Sequence, residues 1–124
     1  MRYLLLIYSN PASREIWNGF SNEERVAGLR YYDELRESLI ESGELVVTEA
    51  LADASSAQHV TVRDGQTIAS DGPFAEVKEQ LAGFFLLECD SMKRAVEIAG
   101  QVPEAALGLV DVRPVRDLSS LLER

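Results

Sequence analysis

The chain holds one cysteine, one histidine and one tryptophan in 124 residues. A lone thiol, Cys89, cannot close an internal disulfide, and one thiol with one imidazole cannot build a thiolate or imidazole metal cage. No metal and no cofactor are therefore expected. Basic residues are also scarce, 12 Lys and Arg against 21 Asp and Glu, for a formal net charge of −9. A surface of that sign repels phosphate backbones and anionic membranes alike, so neither a nucleic-acid nor a membrane partner is expected. Long hydrophobic runs are missing too. Leu4-Leu5-Leu6-Ile7 is closed at once by Tyr8-Ser9-Asn10-Pro11, whereas a secretory core needs about 7–15 apolar residues and a membrane helix about 20. The expected location is the cytoplasm, whose reducing conditions suit a single free thiol. Hydrophobic residues at 46% and charged residues at 27% are ordinary globular values, and the length predicts one domain over residues 1–124.

Residues 2–8 read as a strand that is apolar on consecutive positions, which predicts cover on both faces. Residues 13–20 carry no clear period beyond a helical turn that would bring Trp17 and Phe20 to the body. The first long helix is plainer. Ser21 and Glu24 form a capping box, and Val26, Leu29, Tyr32, Leu35 and Leu39 recur at steps of three and four. Gly43 suits the residue just past its end. Strands follow at residues 45–48 and 58–63, and Asp64-Gly65 turns the second of these back through residues 66–70 as a hairpin. In that hairpin Val60 and Val62 alternate with His59, Thr61 and Arg63, giving one wet face. Residues 84–87 repeat the two-sided apolar pattern of the first strand. A second helix starts at Asp90-Ser91, carries Met92, Ala95, Val96 and Ala99 on one stripe, and ends by Gly100 and Pro103. A last strand spans residues 109–115, and residues 118–122 have helical bias.

The order is β-α-β-(ββ)-β-α-β, an α+β, ferredoxin-like arrangement with an inserted hairpin. Two helices cover only one face of the sheet, yet two strands are apolar on both. The other face needs a partner, and a second copy of the same sheet is the simplest, making a homodimer.

The string Asp71-Gly72-Pro73-Phe74-Ala75-Glu76-Val77-Lys78-Glu79-Gln80-Leu81-Ala82-Gly83-Phe84-Phe85 resembles the DGPF-domain proteins, a branch of the YCII-related family. The start at residues 3–8, the stretch at residues 60–65 and the ending Val112-Arg113-Pro114-Val115 fit the same pattern. The resemblance implies a ferredoxin-like fold that dimerises into a dimeric α+β barrel, without implying a particular reaction. The wider family carries a histidine in the first long helix and an aspartate before a proline after the second, proposed as an acid–base pair. Those positions fall here at Tyr32 and Val102, so the pair is missing.

The polar residues singled out for a small-molecule cleft are Asp71, Lys78, Arg113 and His59, with Glu76 as a further charge at its mouth. Each has a plainer reading. Asp71 can cap the turn that Gly72 and Pro73 make, with Phe74 plugging a core edge. His59 can be a solvated strand residue, and Cys89 a small buried hydrophobe. Tyr8, Tyr31 and Tyr32 can supply hydroxyls or pack. Three functions are weighed: a small-molecule-binding dimer; a cofactor-free isomerase or oxygenase, by analogy with other α+β barrels; and an accessory protein of an extracytoplasmic-function sigma-factor system, a habit of the family.

Overall fold

The computed structural model describes residues 1–72 and 78–122. The elements run β1 (Arg2–Ser9), α1 (Pro11–Asn18), α2 (Asn22–Glu41), β2 (Leu45–Ala50), a 3₁₀ turn (Ala54–Ser56), β3 (Gln58–Arg63), β4 (Gln66–Asp71), β5 (Gln80–Glu88), α3 (Met92–Ala99), a second 3₁₀ turn (Pro103–Leu107), β6 (Val110–Pro114) and α4 (Ser119–Leu122). The main sheet is antiparallel in the order β2-β5-β1-β6, and β3 and β4 form a second sheet of two strands. The expected α+β architecture holds. Pro73, Phe74 and Glu76 lie outside the described residues.

Residues 11–18 are helical, taking in most of the 13–20 stretch that the sequence leaves ambiguous. Asn10 is the cap of α1 and exchanges hydrogen bonds with Ser13, with Pro11 at the first helical position. Asn-Pro ends β1 as expected and also starts a helix. Ser21 and Glu24 form the expected capping box on α2, and Ser91 caps α3 through the Arg94 amide. The stripe on α2 is only half used. Leu35 and Leu39 are buried, but Val26 and Leu29 are 47% and 62% exposed. The buried part of the helix is its second half.

Strand alternation sorts the main sheet into two faces. Tyr3, Leu5, Ile7, Phe85 and Leu87 point to the helices and join Leu35, Leu39, Ala95, Ile98 and Val102 in the core. Leu4, Leu6, Phe84 and Leu86 point the other way and are half-buried. Among the described residues, one face is thus fully covered and the other only in part.

The hairpin corrects a second expectation. Asp64 and Gly65 both take positive φ, the geometry of a tight two-residue turn. Yet Val60 and Val62 are 58% and 69% exposed, while His59, placed on the wet face by the sequence, is half-buried. The hairpin stands as its own sheet, so nothing in the main sheet covers its valines. Among the described residues, no helix is long and apolar enough to cross a membrane.

One ion pair ties the end of α2 to α3. Arg94 donates to Glu44 through Nε and Nη2, both at 2.8 Å, and Ser42 adds a hydroxyl at 2.8 Å. The Arg94 bonds, against an opposing effect of burial and with help from Ser42, hold the Glu44 carboxyl down to about 2 from the usual 4.5. A depressed folded value stabilises the protein above about pH 4.5 and ceases to do so as pH falls toward 2. Unfolding curves between about pH 6 and about pH 3 should show that Glu44→Gln loses less stability on acidification than the parent. Equal acid slopes would contradict this pairing.

Candidate functional site

Tyr31 and Tyr32 sit mid-way along α2 and diverge by one helical step. The Tyr32 ring stacks on Phe85 of β5, with centroids 6.4 Å apart and planes inclined by 24°. Its hydroxyl donates to the Glu104 carboxylate, very closely to Oε1 and at 2.5 Å to Oε2. Glu104 comes from the second 3₁₀ turn, 72 residues further along the chain. Tyr31 donates its hydroxyl to the Gln101 carbonyl at 2.5 Å, and the two tyrosine rings meet edge to face. Two adjacent hydroxyls on α2 thereby hold the segment that follows α3.

The pair lies between helix and sheet, and both partners are partly buried. Burial first, then the hydrogen bond and charge of Glu104, push the Tyr32 phenol far above its usual range. Tyr32 is therefore a donor at any ordinary pH. A carboxylate has about four acceptor positions, so Glu104 keeps capacity beyond the phenol. This arrangement can orient a ligand hydroxyl or amine, or accept a proton from it. Beside it, a shallow groove of about 520 Å³ is lined by Tyr31, Gln101, Val102, Pro103 and Ala105 among others.

The four residues singled out from the sequence are distributed more widely. His59 and Asp71 share the base of the hairpin, where Gln58 reaches Asp71 at 3.4 Å and His59 pairs with Ser70 across the strands. Lys78 is exposed just before β5, and Arg113 is exposed on β6 opposite Leu4 of β1. Arg113 stands near Tyr8 and Asp111; the hairpin pair belongs to the other sheet. Cys89 is buried, and burial pushes its thiol up, as befits a small hydrophobe. Among the described residues, no three His, Cys, Asp or Glu side chains gather as a metal site.

Sequence reasoning missed Glu104. It placed the family's two acid–base positions at Tyr32 and Val102 and found the pair missing; Val102 is 1% exposed in the core, and a carboxylate stands two residues further on. The available signal was a lone acid directly after Pro103, on a turn that returns toward α2.

The comparisons with known proteins bear on the whole chain. The family model for the YCII-related domain matches residues 1–119. An uncharacterised protein of Rhizobium meliloti (strain 1021) is 33% identical over 117 residues, covering 93% of this chain and 92% of that one. Among solved structures, the 5-chloro-2-hydroxyhydroquinone dehydrochlorinase of Burkholderia phenoliruptrix AC1100, in complex with 2,5-dihydroxybenzoquinone, superposes with a TM-score of 0.49 at 16% identity, covering 94% of each chain. The sequence match spans both tyrosines of α2, the Glu104 turn and every strand of the sheet: this chain belongs to the YCII-related family.

Proposed function

We propose that the protein is a homodimer that binds a small molecule between helix and sheet, at the Tyr32–Glu104 pair. The observation that carries this reading is the phenol–carboxylate bond itself. It joins two elements 72 residues apart over an aromatic floor, beside the groove under residues 101–105. A buried tyrosine needs only one acceptor, and a backbone carbonyl would serve. A half-buried carboxylate is costlier to keep, and it is the group a ligand donor would seek. The two-copy state is supported by the row Leu4, Leu6, Phe84 and Leu86, which is only half-buried among the described residues. The same pair also favours a second reading, proton transfer without a cofactor, because it places an acceptor and a protonated phenol at hydrogen-bond distance.

A thermal-shift screen of small metabolites tests the binding reading, since a native-state ligand raises the melting temperature. Tyr32→Phe and Glu104→Gln should both fold and should weaken any hit by roughly 10- to 150-fold, the loss of a charged hydrogen bond of about 1.5–3 kcal/mol. Hits that bind both variants as tightly as the parent would remove the pair from the site. Light scattering at micromolar concentration should give about twice 13.7 kDa; a monomer at every concentration would refute the dimer.

A further inference from the structure

The open face of the main sheet carries a second polar constellation that the Tyr32–Glu104 site does not use. Paired residues of neighbouring antiparallel strands share a face. Asp111 is opposite Leu6 and Arg113 opposite Leu4, so both charged side chains of β6 lie on the open face. A bulge between Ile7 and Tyr8 brings Tyr8 opposite Leu81 at the end of the same face. Asp111, Glu79 and Arg113 stand near enough to the Tyr8 phenol for their charges to act on it. The floor beneath is Leu4 and Leu6, flanked by Leu86 and Phe84. Among the described residues, Arg113 belongs to none of the ion pairs.

We propose that this end of the open face binds a zwitterion whose charges are separated by about 6–7 Å, the span of two strand residues: an ω-amino acid, its ammonium at Asp111 and its carboxylate at Arg113. Charge decides the ligand class and its orientation. Two carboxylates, Asp111 and Glu79, stand at the Tyr8 end, and one guanidinium stands one step inward. A simple anion would meet a net negative site, and a simple cation would leave Arg113 unmatched. A zwitterion of this length opposes both, with its methylenes on Leu4 and Leu6. An α-amino acid is too short to reach both ends. Tyr8, on the same face as Asp111, closes this end of the site. Burial and the neighbouring carboxylates raise the Tyr8 phenol above its usual range, so it stays a donor. The site rests on the two-copy reading above only for its roof, the second sheet that would close over the face.

Calorimetric titration with 5-aminovalerate, valerate and glycine tests this. 5-Aminovalerate is expected to bind about tenfold or more tighter than valerate, with no heat from glycine, and added salt should weaken it. Asp111→Asn should bring 5-aminovalerate down to the level of valerate, Arg113→Ala should weaken both, and Lys93→Ala, at an exposed position of α3, should change neither. Equal affinity for 5-aminovalerate and valerate, or no heat up to about 10 mM, overturns the site. Light scattering on the same samples keeps the two readings apart. No heat from a dimer sinks this site and leaves the dimer standing; heat from a monomer supports the site and sinks the roof.

Discussion

Phe84→Glu is expected to leave a folded monomer, and Phe85→Glu to leave no stable fold. The two residues are neighbours on β5 and point to opposite faces. Phe85 is 2% exposed, under the helices and against Tyr32. A carboxylate there would be buried without a partner and would cost at least about 3–5 kcal/mol, much of a small domain's stability. Phe84 is only half-buried in one copy, so a glutamate can reach water in the monomer. In a two-copy assembly through the open face it would be desolvated, and two-fold symmetry would enter it twice. A penalty of about 3 kcal/mol or more weakens association by over 100-fold. Circular dichroism and light scattering on both variants read the result. A Phe84→Glu protein that remains a dimer would mean that the two copies meet elsewhere.

The contrast between those neighbours shows what the sequence made legible. Consecutive apolar residues at 4–7 and 84–87 announced two buried faces, because an antiparallel strand with one wet face alternates. They did not say what covers each. The helices cover the face of Leu5, Ile7, Phe85 and Leu87, and among the described residues the other face is only half-buried. The hairpin misled for a related reason. Val60 and Val62 alternate as if over a core, but burial depends on where the hairpin lands, and the hairpin forms a sheet of its own with both valines exposed. Caps were legible wherever the chemistry is local. Ser21 with Glu24, Ser91, and Gly43 with its φ of +79° all read correctly. Asn10-Pro11 was legible as the end of the first strand but not as the start of α1, because one dipeptide does both.

The Tyr32–Glu104 pair was half legible. Tyr32 lay on the expected stripe of α2, and the position opposite it was sought next to Pro103. No local rule says whether the residue before a proline or the one after it will face the helix. That depends on how the 3₁₀ turn closes. Here Val102 enters the core as the turn begins, and Glu104, two residues on, swings back to α2. Tyr8 and Asp111 are a case of the same kind. Each strand is readable alone, but the register that sets Asp111 opposite Leu6, together with the bulge at Tyr8, exists only in the assembled sheet.

Gly83→Ala should be among the costliest single methyl additions in this chain, and the reason is space rather than backbone torsion. Gly83 lies in β5 between Ile7 of β1 and Ala50 of β2. A Cβ there would meet the Glu49 carbonyl oxygen at 2.9 Å and the Ala50 Cα at 3.5 Å. Both are backbone atoms of a paired strand, so neither can turn aside as a side chain would. Relief requires β2 to move away from β5. Just beyond, the Leu51 amide donates to the Ala82 carbonyl at 2.8 Å and pins the strands together. Overpacking of this kind costs about 1–3 kcal/mol, or a drop of roughly 3–12 °C in Tm for a domain of this size. Gly28 provides the matched control. It sits inside α2, where an added Cβ meets nothing nearer than Trp17 Cζ3 at 3.9 Å. Alanine there should stabilise by about 0.5–1 kcal/mol, because it gives up less backbone freedom on folding. Chemical denaturation of the two variants should therefore move the midpoint in opposite directions. A Gly83→Ala protein as stable as the parent would show that β2 can shift away from β5 at little cost.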